Sequence, residues 1–141
     1  MAEDTRRSVT LDRLSTGVYQ ATNARGATLR FGSNAGDGFT PVELLLAAIG
    51  GCTAVDVDVV TARRADAEQF GVVVDAEAVR DENGNVLRDI QVRFQLRFAT
   101  GADGDLARAM VPRAVVVSHD RTCTVSRTIE AGTPVRIVVD E

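Results

Sequence analysis

The sequence predicts an α+β domain, and three observations carry the prediction. A capping box opens a long apolar run that reads as one buried helix. Period-two alternation of apolar and polar residues marks a half-buried strand downstream of it. The segments follow in the order strands, buried helix, strands, helix, strands, which is the pattern of an α+β fold. At 141 residues with 45% hydrophobic and 26% charged content, the chain is sized for one domain, 1–141, with a real core.

Val9 to Gln20 and Ala27 to Gly32 read as short strands around the turn Asn23-Ala-Arg-Gly26. Ser33-Asn-Ala-Gly-Asp-Gly38 is a loop by composition. Thr40-Pro-Val-Glu43 is the capping box. Thr40 can accept from the Glu43 amide, Glu43 can reach back to the Thr40 amide, and Pro41 takes the first helical position, where no N–H is missed. The helix is expected to run to about Arg64, with Arg63 and Arg64 suiting its C-terminus. Leu44 to Cys52 is apolar on every side, which predicts burial all round, inside a fold or between subunits. Gly50 and Gly51 lower helix propensity, so close approach of another backbone is their expected use.

Phe70 to Arg80 is Val-rich and strand-like, and Asp81 to Asn85 is a turn holding the hairpin dipeptide Asn83-Gly84. Ile90, Val92, Phe94, Leu96 and Phe98 then alternate with polar residues, giving a half-buried strand. A second helix is expected over Asp103 to Val117, capped by Asp103 and kinked or broken at Pro112. A short strand is expected after Cys123, and Pro134 to Asp140 reads as a closing strand.

Composition excludes several kinds of chemistry. The formal net charge is −4, and no basic run is present, which disfavours nucleic acid and anionic membrane as partners. All 16 basic residues are arginine, so Schiff-base chemistry and a P-loop lysine are ruled out. One histidine and two cysteines without close ligand spacing make a metal site improbable. The polar N-terminus lacks the apolar stretch of a signal peptide, and the uncharged run Leu44 to Val55 is too short to span a bilayer; the expected location is cytoplasmic.

Chemistry therefore centres on Cys52, Cys123 and His119. Cys52 lies on the apolar helix, where a core cysteine would serve equally well. Cys123 sits in a polar neighbourhood between Arg121 and Arg127, whose charge would favour a thiolate. His119 titrates near neutrality and could serve a cysteine as base, giving a hydrolase or acyltransferase reading. Ser118-His119-Asp120 resembles a catalytic triad only on paper, because adjacent residues are not expected to face one another.

The segment Phe39 to Val57, with Pro41 eleven residues before Cys52, resembles the signature helix of the OsmC/Ohr family, and Cys123-Thr-Val-Ser-Arg-Thr128 resembles that family's second-cysteine segment. The likeness spans about Val9 to Val139. It implies a fold of antiparallel sheets wrapped around long central helices in an intertwined homodimer, which would cover the apolar helix. It also implies a thiol-dependent peroxidase for organic hydroperoxides, with Cys52 as the attacking thiol and Cys123 as its disulfide partner. An external dithiol, such as a lipoylated protein, would reset the pair without metal or cofactor. Well-characterised members carry an acid directly after the motif proline and an arginine from an N-terminal strand or loop. Here Val42 follows Pro41, Glu43 lies one residue later and faces about 100° away, and Arg13 is the arginine nearest by position. The pattern therefore looks more like the broader OsmC-like branch. The alternative function is a non-catalytic module binding an apolar ligand or partner between subunits.

Overall fold

The computed structural model describes residues 4–33 and 38–140, so most of the 33–38 loop and the extreme N-terminus lie outside the described residues. The chain forms two compact units, one up to Leu45 and one from Leu46 onward.

The first unit is an antiparallel sheet of β1 (Val9–Ser15), β2 (Val18–Asn23) and β3 (Thr28–Gly32), with β2 central. A single strand from Val9 to Gln20 does not form. Gly17 adopts φ +75°, a left-handed geometry that reverses the chain and splits the segment into β1 and β2. The second turn is as expected: Asn23 Oδ1 accepts from the Arg25 and Ala27 amides, both at 3.0 Å. Tyr19 stacks on Phe31 at 5.9 Å between centroids.

Helix α1 (Pro41–Thr61) begins at the capping box and ends before Arg63 and Arg64. By length and composition it could cross a membrane, being longer than its uncharged run. Its later part instead serves as a core helix. Ile49, Gly50, Thr53, Val57 and Thr61 form its buried stripe, so the expected all-round burial is not met within the chain. Gly50 lies against the side chains of Val72 and Val74 and leaves no room for a Cβ, whereas Gly51 has nothing within 4 Å. The close approach expected at the glycine pair is thus real at Gly50, though it is made by valine side chains.

Strands β4 (Gln69–Asp81) and β5 (Gly84–Arg97) form a long antiparallel hairpin, turning at Glu82-Asn83 with Gly84 at φ +124°. Val92, Phe94 and Leu96 are half-buried at period two, as the alternation predicts. Helix α2 (Ala102–Val117) continues through Pro112 without ending, and its N-cap is Gly101 with no side-chain cap bond. Asp103 falls instead in the first turn, where a carboxylate suits the positive end of the helix.

Two expected strands are absent. Ser118–Thr122 is a π-helical turn, and Thr124–Ala131 is helix α3, closed by Gly132 at φ +66°. Capping by Cys123 overrides the strand-like composition that follows it. Residues 133–140 carry no regular structure, with Val135 87% and Ile137 84% exposed. A strand exists only by pairing, and among the described residues this segment pairs with none.

Candidate functional site

Cys52 and Cys123, far apart in sequence, meet at the start of α3. Cys52 is half-exposed on α1, whereas Cys123 is fully buried. The Cys123 amide donates to Ser118 O at 2.7 Å, closing the π-helical turn. Cys123 is also the N-cap of α3, with extended backbone at φ −77° and ψ 93°. Its Sγ accepts from the Ser126 amide at 3.4 Å, as a capping oxygen would. Both thiols are free, each acts on the ionisation of the other, and the Val125 amide favours the Cys52 thiolate. Two amides of one helical turn therefore act on the two sulfurs, that of Ser126 by a direct bond to Cys123.

The environment separates the two thiols. Burial pushes the Cys52 thiol up, opposed by the Val125 amide and reinforced by Cys123 and the Asp56 carboxylate. Burial acts the same way on Cys123, but bonds from the Ser126 hydroxyl and amide, the Thr53 hydroxyl and the Cys52 thiol outweigh it. They hold Cys123 below its ordinary value. The largest favourable contributions come from these neutral donors and not from Arg121 or Arg127, the charges that flank it in sequence.

Asp56 lies one turn after Cys52 on α1. Its Oδ2 accepts from Ser118 Oγ at 2.7 Å and from Thr122 Oγ1 at 2.8 Å, fastening the π-helical turn to α1. A cleft of about 300 Å³ runs beside Thr53 and Ser126, lined also by Ile49, Phe94 and Val115. An apolar groove of about 570 Å³ adjoins Asp56, with Val59, Met110, Arg113 and Val117 among its lining residues.

The other expected participants have local partners. Glu43 completes the capping box, accepting from the Thr40 amide at 2.8 Å while its own amide donates to Thr40 Oγ1 at 3.2 Å. Arg13 donates to Thr16 Oγ1 at 2.9 Å from exposed β1. Both lie in the first unit, and these bonds stay within it. His119 contacts two carboxylates, Asp120 through Nδ1 at 2.9 Å and Glu130 through Nε2 at 3.0 Å. The expectation that adjacent His119 and Asp120 would not meet is overturned by this contact within the π-helical turn. Ser118 turns away from them to Asp56.

Thr53, Asp56 and Ser126 escaped the sequence reading. Asp56 carries a helical signal, standing four residues after Cys52. Ser126 carries another, because Cys123-Thr-Val-Ser126 has capping-box spacing with sulfur at the cap.

The same chain can be set beside known proteins. An uncharacterized protein of Mycobacterium tuberculosis is 34% identical over 131 residues, 92% of this chain and 93% of that protein. Protein YhfA of Escherichia coli K12 is 33% identical over 115 residues, 80% of this chain and 81% of that protein. A hypothetical protein from Aquifex aeolicus VF5 shares the fold at a TM-score of 0.73 and 19% identity, over 92% of this chain and 91% of that one. An OsmC-like protein of unknown function from Vibrio cholerae does so at 0.71 and 11% identity, over 90% and 95%. The family model for OsmC-like proteins matches residues 33–138, a span that contains both cysteines, the π-helical turn and α3. With its fold and most of its length matched in this way, the chain belongs to the OsmC-like protein family.

Proposed function

We propose that this chain is a thiol-dependent peroxidase that reduces organic hydroperoxides through a Cys52–Cys123 disulfide. The observation that carries the reading is the juxtaposition of an accessible thiol at Cys52 and a buried sulfur at Cys123 held by the first turn of α3. Access assigns the attack to Cys52. Cys123 is the more readily ionised of the two sulfurs, and in its thiolate form it takes the Cys52 proton as the peroxide arrives. The Cys52 thiolate attacks the terminal peroxide oxygen, the O–O bond breaks, and the departing alkoxide takes the proton from Cys123. Cys52 is then a sulfenic acid. Cys123, again a thiolate, attacks the Cys52 sulfur, hydroxide departs, and the disulfide forms. An external dithiol reduces it and becomes the oxidised partner.

One equivalent of cumene hydroperoxide added to reduced protein is expected to remove both free thiols. Peptide mapping is expected to find Cys52 joined to Cys123. Protein that keeps both thiols under these conditions would refute the reading. If it also retained an apolar ligand on native mass spectrometry, the groove beside Asp56 would favour a binding module instead. The hydrolase reading has no such support, because both ring nitrogens of His119 are engaged by carboxylates.

The working unit in this proposal is a homodimer. Gly51, Val55 and Val59 share one face of α1 at helical spacing, with Val55 62% and Val59 56% exposed. A second copy covering this stripe would bury the apolar remainder of α1. Val55→Asp is expected to convert the dimer to monomer by light scattering. Wild-type protein that is already monomeric, or a variant that stays dimeric, would remove this assignment.

A further inference from the structure

Asp56 fastens the π-helical turn beside the cysteine pair to α1, and a second fastening ties the same turn to α3. His119 leaves that turn and reaches Glu130 in the last turn of α3, while its other ring nitrogen meets Asp120. Cys123 lies between the two ends of this tie, and the amides that face the sulfurs lie inside it. A neutral imidazole has one N–H and one bare nitrogen, and a bare nitrogen repels a carboxylate oxygen. Contacts of 2.9 and 3.0 Å to carboxylates at both nitrogens therefore belong to the doubly protonated ring.

We propose that His119, as an imidazolium, is a positioning residue for Cys123: bridged between Asp120 and Glu130, it locks the π-helical turn to α3 and keeps the Val125 and Ser126 amides on the two sulfurs. The functional importance of this rests on the reading of that pair as the reacting thiols. The hydrogen bond to Asp120, then that to Glu130 and its charge, hold the imidazole above its ordinary value. The tie is thus complete below that ordinary value and is lost as pH rises through the raised one. The other charged group in the exposed cleft around the ring is Arg127, from α3. In the cleft of about 300 Å³ that His119 also lines, the residues from α1, α2 and β5 are uncharged, Thr53, Val115 and Phe94 among them.

His119 is the only histidine, so its ring can be titrated by NMR as a single signal. The wild-type ring is expected to titrate above ~6.5, and the Glu130→Gln ring closer to it. Hydrogen-exchange protection of the Ser126 amide is expected to fall across the same pH interval in wild type. His119→Gln is expected to lack that protection at every pH. In a Cys52→Ser background, His119→Gln is also expected to move the Cys123 thiolate absorbance titration up toward ~8.5. His119→Arg, a permanent cation able to reach both carboxylates, is expected to keep Ser126 protected at pH values where wild type has lost it.

Unchanged Ser126 protection and Cys123 titration in His119→Gln would overturn the proposal. So would His119→Arg losing protection at the wild-type pH. Should His119→Gln fail to fold, Glu130→Gln opens the α3 arm alone and must move Cys123 in the same direction, or the proposal fails. No peroxide enters these measurements, so their failure and that of the peroxidase reading are separate results.

Discussion

Cys52→Ser is expected to reduce consumption of cumene hydroperoxide, in the presence of excess dithiol, to the rate without protein. The serine hydroxyl is not ionised at neutral pH and cannot carry an oxygen on to a second sulfur. Cys123→Ser is expected to fail differently. Without dithiol, Cys52 still meets the peroxide, so about one equivalent per chain is consumed and a sulfenic acid accumulates, trappable with dimedone. Multiple turnover through the intramolecular disulfide is lost. The single oxidation should also slow at neutral pH and recover as pH rises, because the sulfur that accepted the Cys52 proton is gone and burial holds Cys52 above its ordinary value. Equal turnover in wild type and Cys52→Ser would end the peroxidase reading.

Asp56→Ala is expected to destabilise the fold by about 2 kcal/mol, because it removes the acceptor for Ser118 and Thr122 together. Ser118 is 1% exposed, so water cannot readily replace the lost partner. The melting temperature should fall by roughly 7 °C. Asp56→Asn separates charge from geometry, since its amide oxygen can still accept while the negative charge near Cys52 disappears. That variant is expected to melt closer to wild type and to lower the Cys52 titration, the direction set by loss of a repelling carboxylate. An Asp56→Ala protein that melts with wild type would show that the fastening of the π-helical turn contributes no stability.

Much of the fold could be read because its signals are local. The Thr40–Glu43 capping box, the Asn23 turn and the β5 alternation each depend on residues a few positions apart. The α+β class and the OsmC-like resemblance followed from such segments and are matched by the fold. What could not be read depends on distant partners. Residues 134–140 have strand composition but no edge to pair with among the described residues, and the apolar α1 buries only one stripe within its own chain. At the site, both cysteines were visible by context. The donors that separate their acidities were not, because Thr53 and the α3 amides converge only after folding. Composition near Cys123 pointed to a strand and to flanking arginines, whereas a sulfur cap on α3 governs the result.

That sulfur cap would also give the return half of the proposed cycle a direction. In a Cys52–Cys123 disulfide, an incoming reductant would find Cys52 at the surface and Cys123 shielded, so attack falls on Cys52. The bond then breaks toward the sulfur best able to depart as an anion, and Ser126 waits with the amide that stabilises it. The transient mixed disulfide would form on Cys52 alone, leaving the helix to reclaim its cap as regeneration proceeds.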